Sequence, residues 1–230
     1  MTEDGLFGAR GRRVLVYGAG IVVLLLLVYV GVRALSAPPA APRVAQGQVR
    51  LGPDPGETVA GYRARAAQSL PPPGRRAVAL VQLGAEVTTE QAAGLAGSLP
   101  VDEAVLRVPL PRVQTALRFA TLPAGAPVAG ALDTARQQAR YAAEADAGRL
   151  TGRPAAVARA EAGEYAGACA CVLALVVEGD RAALDTVAAA PGVRVVEAAP
   201  VGVTAPELAL SPLLPEQTES ATPPPDDGPL

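Results

Sequence analysis

One pattern, written twice, constrains the fold more than any other feature. A strand-like run, AVALVQL (77–83), leads to a helix-like run, TTEQAAGLAGSL (88–99), a Pro-Val step and a second strand-like run, AVLRVPL (104–110). The same order returns downstream as CVLALVVE (171–178), DRAALDTVAAA (180–190), a Pro-Gly-Val step and VRVVE (193–197). Thr88 and Gln91 have the spacing of a capping box, Asp180 can cap the second helix, and Pro191-Gly192 stops it. Ala92, Leu95, Ala96 and Leu99 recur at helical spacing, as do Ala183, Leu184, Val187 and Ala188, so each helix carries one apolar stripe. A one-sided helix must bury that stripe, and each half therefore reads as a β-α-β unit.

Two such units in succession give the order of a ferredoxin-like βαββαβ sandwich: a four-stranded antiparallel sheet with both helices on one face. This α+β domain is expected over 75–200, with 77–83 and 171–178 as central strands and 104–110 and 193–197 at the edges. Arg107, Pro109, Arg194 and Glu197 in the outer pair suit exposed edges. The stretch VLALVVEGDRAALDTVAAAPGVRVVE resembles the second half of ferredoxin-like modules such as subtilisin-type propeptide inhibitors and metal-carrying domains. The metal carriers' Cys-x-x-Cys is missing, so the resemblance implies a fold and carries no functional residue across.

Residues 111–168 interrupt the two halves. Their core is Ala-rich with interleaved Asp, Arg and Glu, divided by TGR (151–153), and predicts a helical hairpin with Pro154 at the first position of its second helix. Because the central strands are apolar on both sides, the hairpin or a second copy of the chain, a homodimer, is expected to cover the sheet face that the two short helices leave bare. The stretch 35–74 reads as a Pro/Gly-rich spacer containing a short helix within 57–70, and residues 201–230 as a Pro-rich, largely disordered tail.

Ahead of this lies VLVYGAGIVVLLLLVYVGV (14–32), uncharged between Arg13 and Arg33. Rising ~1.5 Å per residue it would span roughly 28 Å, close to the ~30 Å hydrocarbon core, so a transmembrane helix is expected over 14–34. Tyr17 and Tyr29 lie near its ends, and Arg10, Arg12 and Arg13 precede it against Arg33 alone after it, which assigns 1–13 to the cytoplasm and the remainder to the outside. The run is longer than the ~7–15 residues of a cleavable signal, so an uncleaved anchor is preferred. A dinucleotide fingerprint beginning at VLVYGAG fails, because Val23 stands where a third small residue is needed.

Composition excludes much chemistry. The chain has 230 residues, room for an anchor and one modest domain, with no His and no Lys. Ser-His-Asp and Cys-His pairs, Schiff-base lysines and a P-loop lysine are thereby absent. A net charge of −2 and 3% aromatic residues give neither the electrostatic footprint nor the stacking platforms of a nucleic-acid binder. The lack of Lys and Asn marks a GC-rich coding bias, and the chain as a whole resembles membrane-anchored proteins of GC-rich Gram-positive bacteria, which implies a location only.

Cys169 and Cys171 are the candidate chemistry. In a flat strand, residues two apart hold their Cα atoms roughly 6.6 Å apart with parallel Cβ atoms, beyond disulfide geometry. The alternatives are therefore two packed side chains, a disulfide made by a local bend near Gly167 or between chains, or a metal or redox site needing further ligands. Glu161 with Glu164 and Glu144 with Asp146 fall on Arg-interleaved helices and read as solvated faces, with Arg140 and Glu144 paired, while Arg63, Arg65, Arg75 and Arg76 read as solubility. PLPRVQT (109–115) and PLLPEQT (212–218) echo one another and suggest remnants of a duplication or docking segments for a partner. The expectation is a non-enzymatic, single-pass plasma-membrane protein that needs neither cofactor nor metal. It holds the bilayer through 14–34 and displays an interaction or scaffold domain to another envelope protein. The alternative is a thiol- or metal-handling protein using Cys169 and Cys171.

Overall fold

The computed structural model describes residues 48–230; the expected cytoplasmic tail, the transmembrane helix over 14–34 and the first part of the spacer lie outside the described residues. Among the described residues no helix is long and apolar enough to cross a membrane.

The first described elements are β1 (Val49–Leu51) and α1 (Val59–Gln68), the short helix expected before the domain. The first predicted unit forms β2 (Arg76–Val87), α2 (Thr89–Ala96) and β3 (Val101–Leu106), and the second forms β5 (Val172–Asp180), α5 (Arg181–Ala188) and β6 (Val193–Ala198). Both helix starts follow their local signals: Thr88 and Gln91 exchange hydrogen bonds of 2.9 and 3.2 Å, and Asp180 accepts from the Ala183 amide at 2.9 Å. The insertion supplies β4 (Arg118–Thr121) and the hairpin α3 (Val128–Arg149) and α4 (Gly152–Ala166). Gly152, not Pro154, begins the second helix of that hairpin. A final strand, β7 (Leu208–Leu210), pairs in parallel with β1.

The molecule is an α+β fold whose main sheet is antiparallel, in the order β4-β3-β5-β2-β6. The two apolar runs β2 and β5 pair with each other, as expected of central strands. Two expectations change. The strand that Arg107 follows is not an edge, because Arg118–Thr121 returns antiparallel along it after an eleven-residue link, 107–117, and takes up its free backbone groups. The hairpin does not cover the bare face: Leu132, Ala135, Ala139 and Ala143 of α3 join α2 and α5 in one core on the same side. Sheet width explains this. Two helices ~10 Å across shield about four strands at ~4.8 Å spacing, and the added β4 calls for a third.

The opposite face is closed by β1, α1 and the segment from Ala199 onward. Leu51 of β1, Leu208 of β7 and Ala199 bury Val78, Leu80, Val105, Leu173 and Val176, and beside them Leu213 packs with Val59 and Tyr62 against Val195. The last thirty residues, expected to be largely disordered, are thus a strap. Ser211 donates to the Leu51 carbonyl at 2.9 Å, Arg194 donates to the carbonyls of Leu214 and Gln217, and Gly228 donates to that of Arg112. Four leucines (208, 210, 213, 214) give the strap an apolar payload that its acidic, Pro-rich composition disguises, and its prolines reduce the entropy lost on ordering.

Within β5 the alternation of faces slips. Val105 pairs with Ala174 but Leu106 pairs with Val172, one step on β3 against two on β5. This bulge at Leu173 sends Leu173 to the strap side and Val172 to the helix side, the reverse of a regular strand.

Candidate functional site

Both ends of the repeated PLPRVQT/PLLPEQT pattern meet at one residue. Arg107, expected on an exposed edge, is 4% exposed; its guanidinium donates to Glu86 at 3.0 Å and to both carboxylate oxygens of Glu216, the nearer pair 2.5 Å apart. Its Nε reaches Thr115 Oγ1 at 3.3 Å, and Thr115 donates onward to the Val108 carbonyl. The contacts that Thr115 of 109–115 and Glu216 of 212–218 make here are within this chain, not with a partner. Burial raises the Glu86 carboxyl above its ordinary value, against the opposing pull of Arg107. Beside the junction a cleft of about 370 Å³ opens between strap and sheet, lined by Arg50, Arg107, Gln114, Leu117, Leu214 and Pro223.

A second buried cluster ties α1 and the turn after β1 to β6. Glu197, also expected on an open edge, accepts from the Gly52 amide at 2.6 Å, from the Tyr62 hydroxyl at 2.9 Å and from Arg65 at 2.7 Å. Tyr62 in turn accepts from the Gln82 side-chain amide, whose oxygen receives the Leu213 amide at 2.6 Å. Burial, reinforced by the Glu197 charge, pushes the Tyr62 hydroxyl far above its ordinary value, so it stays a proton donor. Arg65, read from the sequence as a solubility residue, completes the cluster and also binds Glu57 at 3.0 Å.

The third cluster corrects the reading of the hairpin carboxylates. Glu161 is buried, accepting from the Ala116 amide at 2.7 Å and from Arg118 at 2.8 Å, while Asp146 shares Arg118 at 3.2 Å and takes Arg149 at 3.0 Å. Asp146 is held below its ordinary value: desolvation works against that, and the hydrogen bonds from Arg149 and Arg118 outweigh it. Glu144 pairs with Arg140 at 2.8 Å on the surface, as the helical spacing predicts, and Glu164 is exposed. Glu161 therefore faces Arg118 rather than Glu164, and no acid–base pair forms.

Cys169 and Cys171 form a disulfide, with Cα atoms 5.4 Å apart. The pair sits just before β5 rather than inside it, where the chain is free to contract below the flat-strand spacing. Cys171 is buried and Cys169 half-buried. Cys171 also stitches the sheet end, receiving the Arg107 amide on its carbonyl at 2.8 Å and donating to the Val87 carbonyl at 3.0 Å. Among the described residues no three acidic or cysteine side chains converge in a geometry that could hold a metal ion.

Of the Arg107 junction the sequence marks only Glu216, inside the repeated Pro-Leu motif, and Arg107, as an edge residue; nothing in the local sequence singles out Glu86, Arg118 or Phe119. Comparison with known protein families, with curated proteins and with solved structures finds no match for this chain.

Proposed function

We propose that this chain is a membrane-anchored protein of the cell envelope whose ferredoxin-like domain stands outside the plasma membrane and works by binding another protein. The strand order β6-β2-β5-β3, with α2 and α5 on one face, supports the ferredoxin-like assignment, and β4, the hairpin and the strap are additions to it. The observation that carries the interaction reading is how the buried charges are used. Arg107 joins β3 to the strap, Glu197 joins β6 to α1, and Glu161 joins α4 to β4, so each charged cluster is spent on holding distant segments together. The disulfide supports the address, since such bonds persist in oxidising compartments, and so does the Arg-flanked apolar run at 14–32.

The test is intact mass of the chain from its native membranes with and without alkylation, combined with a membrane-impermeant thiol label applied to whole cells after reduction. A mass about 2 Da below the reduced chain, with label reaching Cys169 from outside, is expected. Free thiols in cells, or cysteines reached only after lysis, overturn the reading.

A second reading rests on the bridge itself. It encloses a single residue, Ala170, and therefore restrains little chain entropy, and one of its sulfurs belongs to the half-buried Cys169. A thiol-exchange protein would pass this disulfide to a partner dithiol, gaining two protons and two electrons as the partner's thiols close. Equilibration against glutathione separates the readings. A bridge that stays closed at potentials near −300 mV is structural, and one that opens between about −180 and −230 mV replaces the interaction reading with the redox one.

A further inference from the structure

The main sheet has two edges, and the chain treats them differently. β6 is covered: α1 packs on it through Tyr62 and Val195, and Ser69 Oγ accepts the Ala198 amide at 2.8 Å. β4 is open. The Leu122 amide donates to the Asp102 carbonyl at 2.8 Å, which sets the phase of the β3–β4 ladder. Arg118 and Ala120 turn their backbone groups toward β3, and Phe119 and Thr121 turn theirs outward. The edge is short and its single charge, Arg118, is turned inward to Glu161 and Asp146, but the strand holds no Lys, no Pro and no bulge, so its outward backbone groups stay accessible.

The side chains flanking the edge give it a shape. Phe119 lies opposite Val105 on the strap side and is 49% exposed. On the helix side a hollow of about 300 Å³ runs beside Ala120, walled by Ala135, Gln138, Ala139 and Ala142 of α3. We infer that β4 is a strand-addition site for an extended, uncharged segment of another protein, which pairs with the outward groups of Phe119 and Thr121. One of its apolar side chains fills the α3 hollow, and its neighbours pack on Phe119. The charge pattern selects this occupant: the charge of Arg118, which lines the hollow with its Nε lacking an acceptor, is met by two carboxylates and that of Arg140 by Glu144, so no unmatched charge calls for a charged partner.

A second copy fits less well. Twofold pairing of β4 sets Ala120 opposite Ala120 and leaves the hollow empty. The four-residue strand, closed by Pro123, is about 14 Å long and supplies little of the ~1,200 Å² that a stable dimer needs. The inference rests on the interaction reading and deepens it, and its failure would leave the membrane address and the disulfide untouched.

The test uses the full chain in detergent micelles and the blocked peptide Thr-Val-Thr-Leu-Thr-Val-Thr, with amide exchange at Phe119 and Thr121 read by NMR. Saturating peptide should slow both amides about tenfold, and replacing the central Leu with Ala should weaken binding about tenfold. Thr121→Pro removes an outward donor and no ladder bond, so it should keep the far-UV spectrum and melting temperature while abolishing binding. Peptide binding that survives Thr121→Pro, or exchange at Phe119 and Thr121 that the peptide leaves unchanged, overturns the inference. Protection of both amides without peptide, rising with protein concentration alongside a doubled mass, overturns it in favour of a second copy.

Discussion

Arg107 and Glu216 meet in a charge-assisted contact, Nη1 to Oε2 at 2.9 Å, across more than a hundred residues of chain. The contact is asymmetric, since the Arg107 side chain is 4% exposed and that of Glu216 is 37% exposed. Removing the arginine leaves Glu86 buried beside an apolar sheet end, whereas removing Glu216 leaves Arg107 still holding Glu86. Arg107→Ala should therefore lose about 3–5 kcal/mol and Glu216→Ala about 1 kcal/mol, measured by urea unfolding. Equal losses would mean that the junction is not organised by its arginine.

The strap predicts a truncation phenotype. A chain ending at residue 204 lacks Leu208, Leu213 and Leu214, and uncovers the sheet face around Leu80 and Val176. At about 1.5–3 kcal/mol per buried leucine the loss is roughly 5 kcal/mol, comparable with the whole stability of many domains. The shortened protein should bind a hydrophobic dye and melt without cooperativity.

Gly52 has φ +122°, and a Cβ there would stand 1.9 Å from the Ser211 carbonyl oxygen. Gly52→Ala must push the strap away and take the Gly52 amide off Glu197. A loss of about 2–4 kcal/mol is expected, with Gly56→Ala, which meets no atom within 4 Å but also has positive φ, losing only about 1 kcal/mol.

The disulfide should matter little to stability. A loop of three residues gives a chain-entropy contribution of about 1.6 kcal/mol, so Cys169→Ser with Cys171→Ala should shift unfolding by about that amount and leave the fold intact. A collapse of the far-UV spectrum would give the bridge a larger structural part than its loop explains.

Acid should release the end of the strap first. Asp226 is held below its ordinary value by the Gln114 amide and then by Arg153, and Asp227 by the Arg112 guanidinium. With folded-state values depressed, the unfolded chain binds protons more readily. The strap's docking is complete above the ordinary carboxylate value near ~3.9 and is lost as pH falls through the folded values. Below about pH 4 the Gly228 amide should exchange faster while β5 stays protected.

These residues also show what could be read without a structure. The helix starts at Thr88 and Asp180 and the central places of β2 and β5 follow from local signals, because caps and apolar runs act over a few residues. Arg107 and Glu197 were misread because their burial is decided by partners far along the chain: β4, the strap and α1. A four-residue strand such as Arg118–Thr121 is too short to show a period, and the strap's leucines are diluted by prolines that mimic disorder. For the cysteines, flat-strand geometry opposes a bridge only if extended backbone runs back from Cys171 through Cys169; the strand starts at Val172, so neither residue is bound by that spacing.

The parallel pairing of β1 with β7 has a consequence for biosynthesis. β1 is made well over a hundred residues before its neighbour β7, and Glu216 reaches Arg107 later still. Whichever way the polypeptide emerges, from a ribosome or through a membrane channel, the strap face stays open until residues 208–216 have followed. Closure of that face is therefore coupled to synthesis of one late segment, and a product stalled before it would present an unsealed apolar sheet to whatever quality control surveys it.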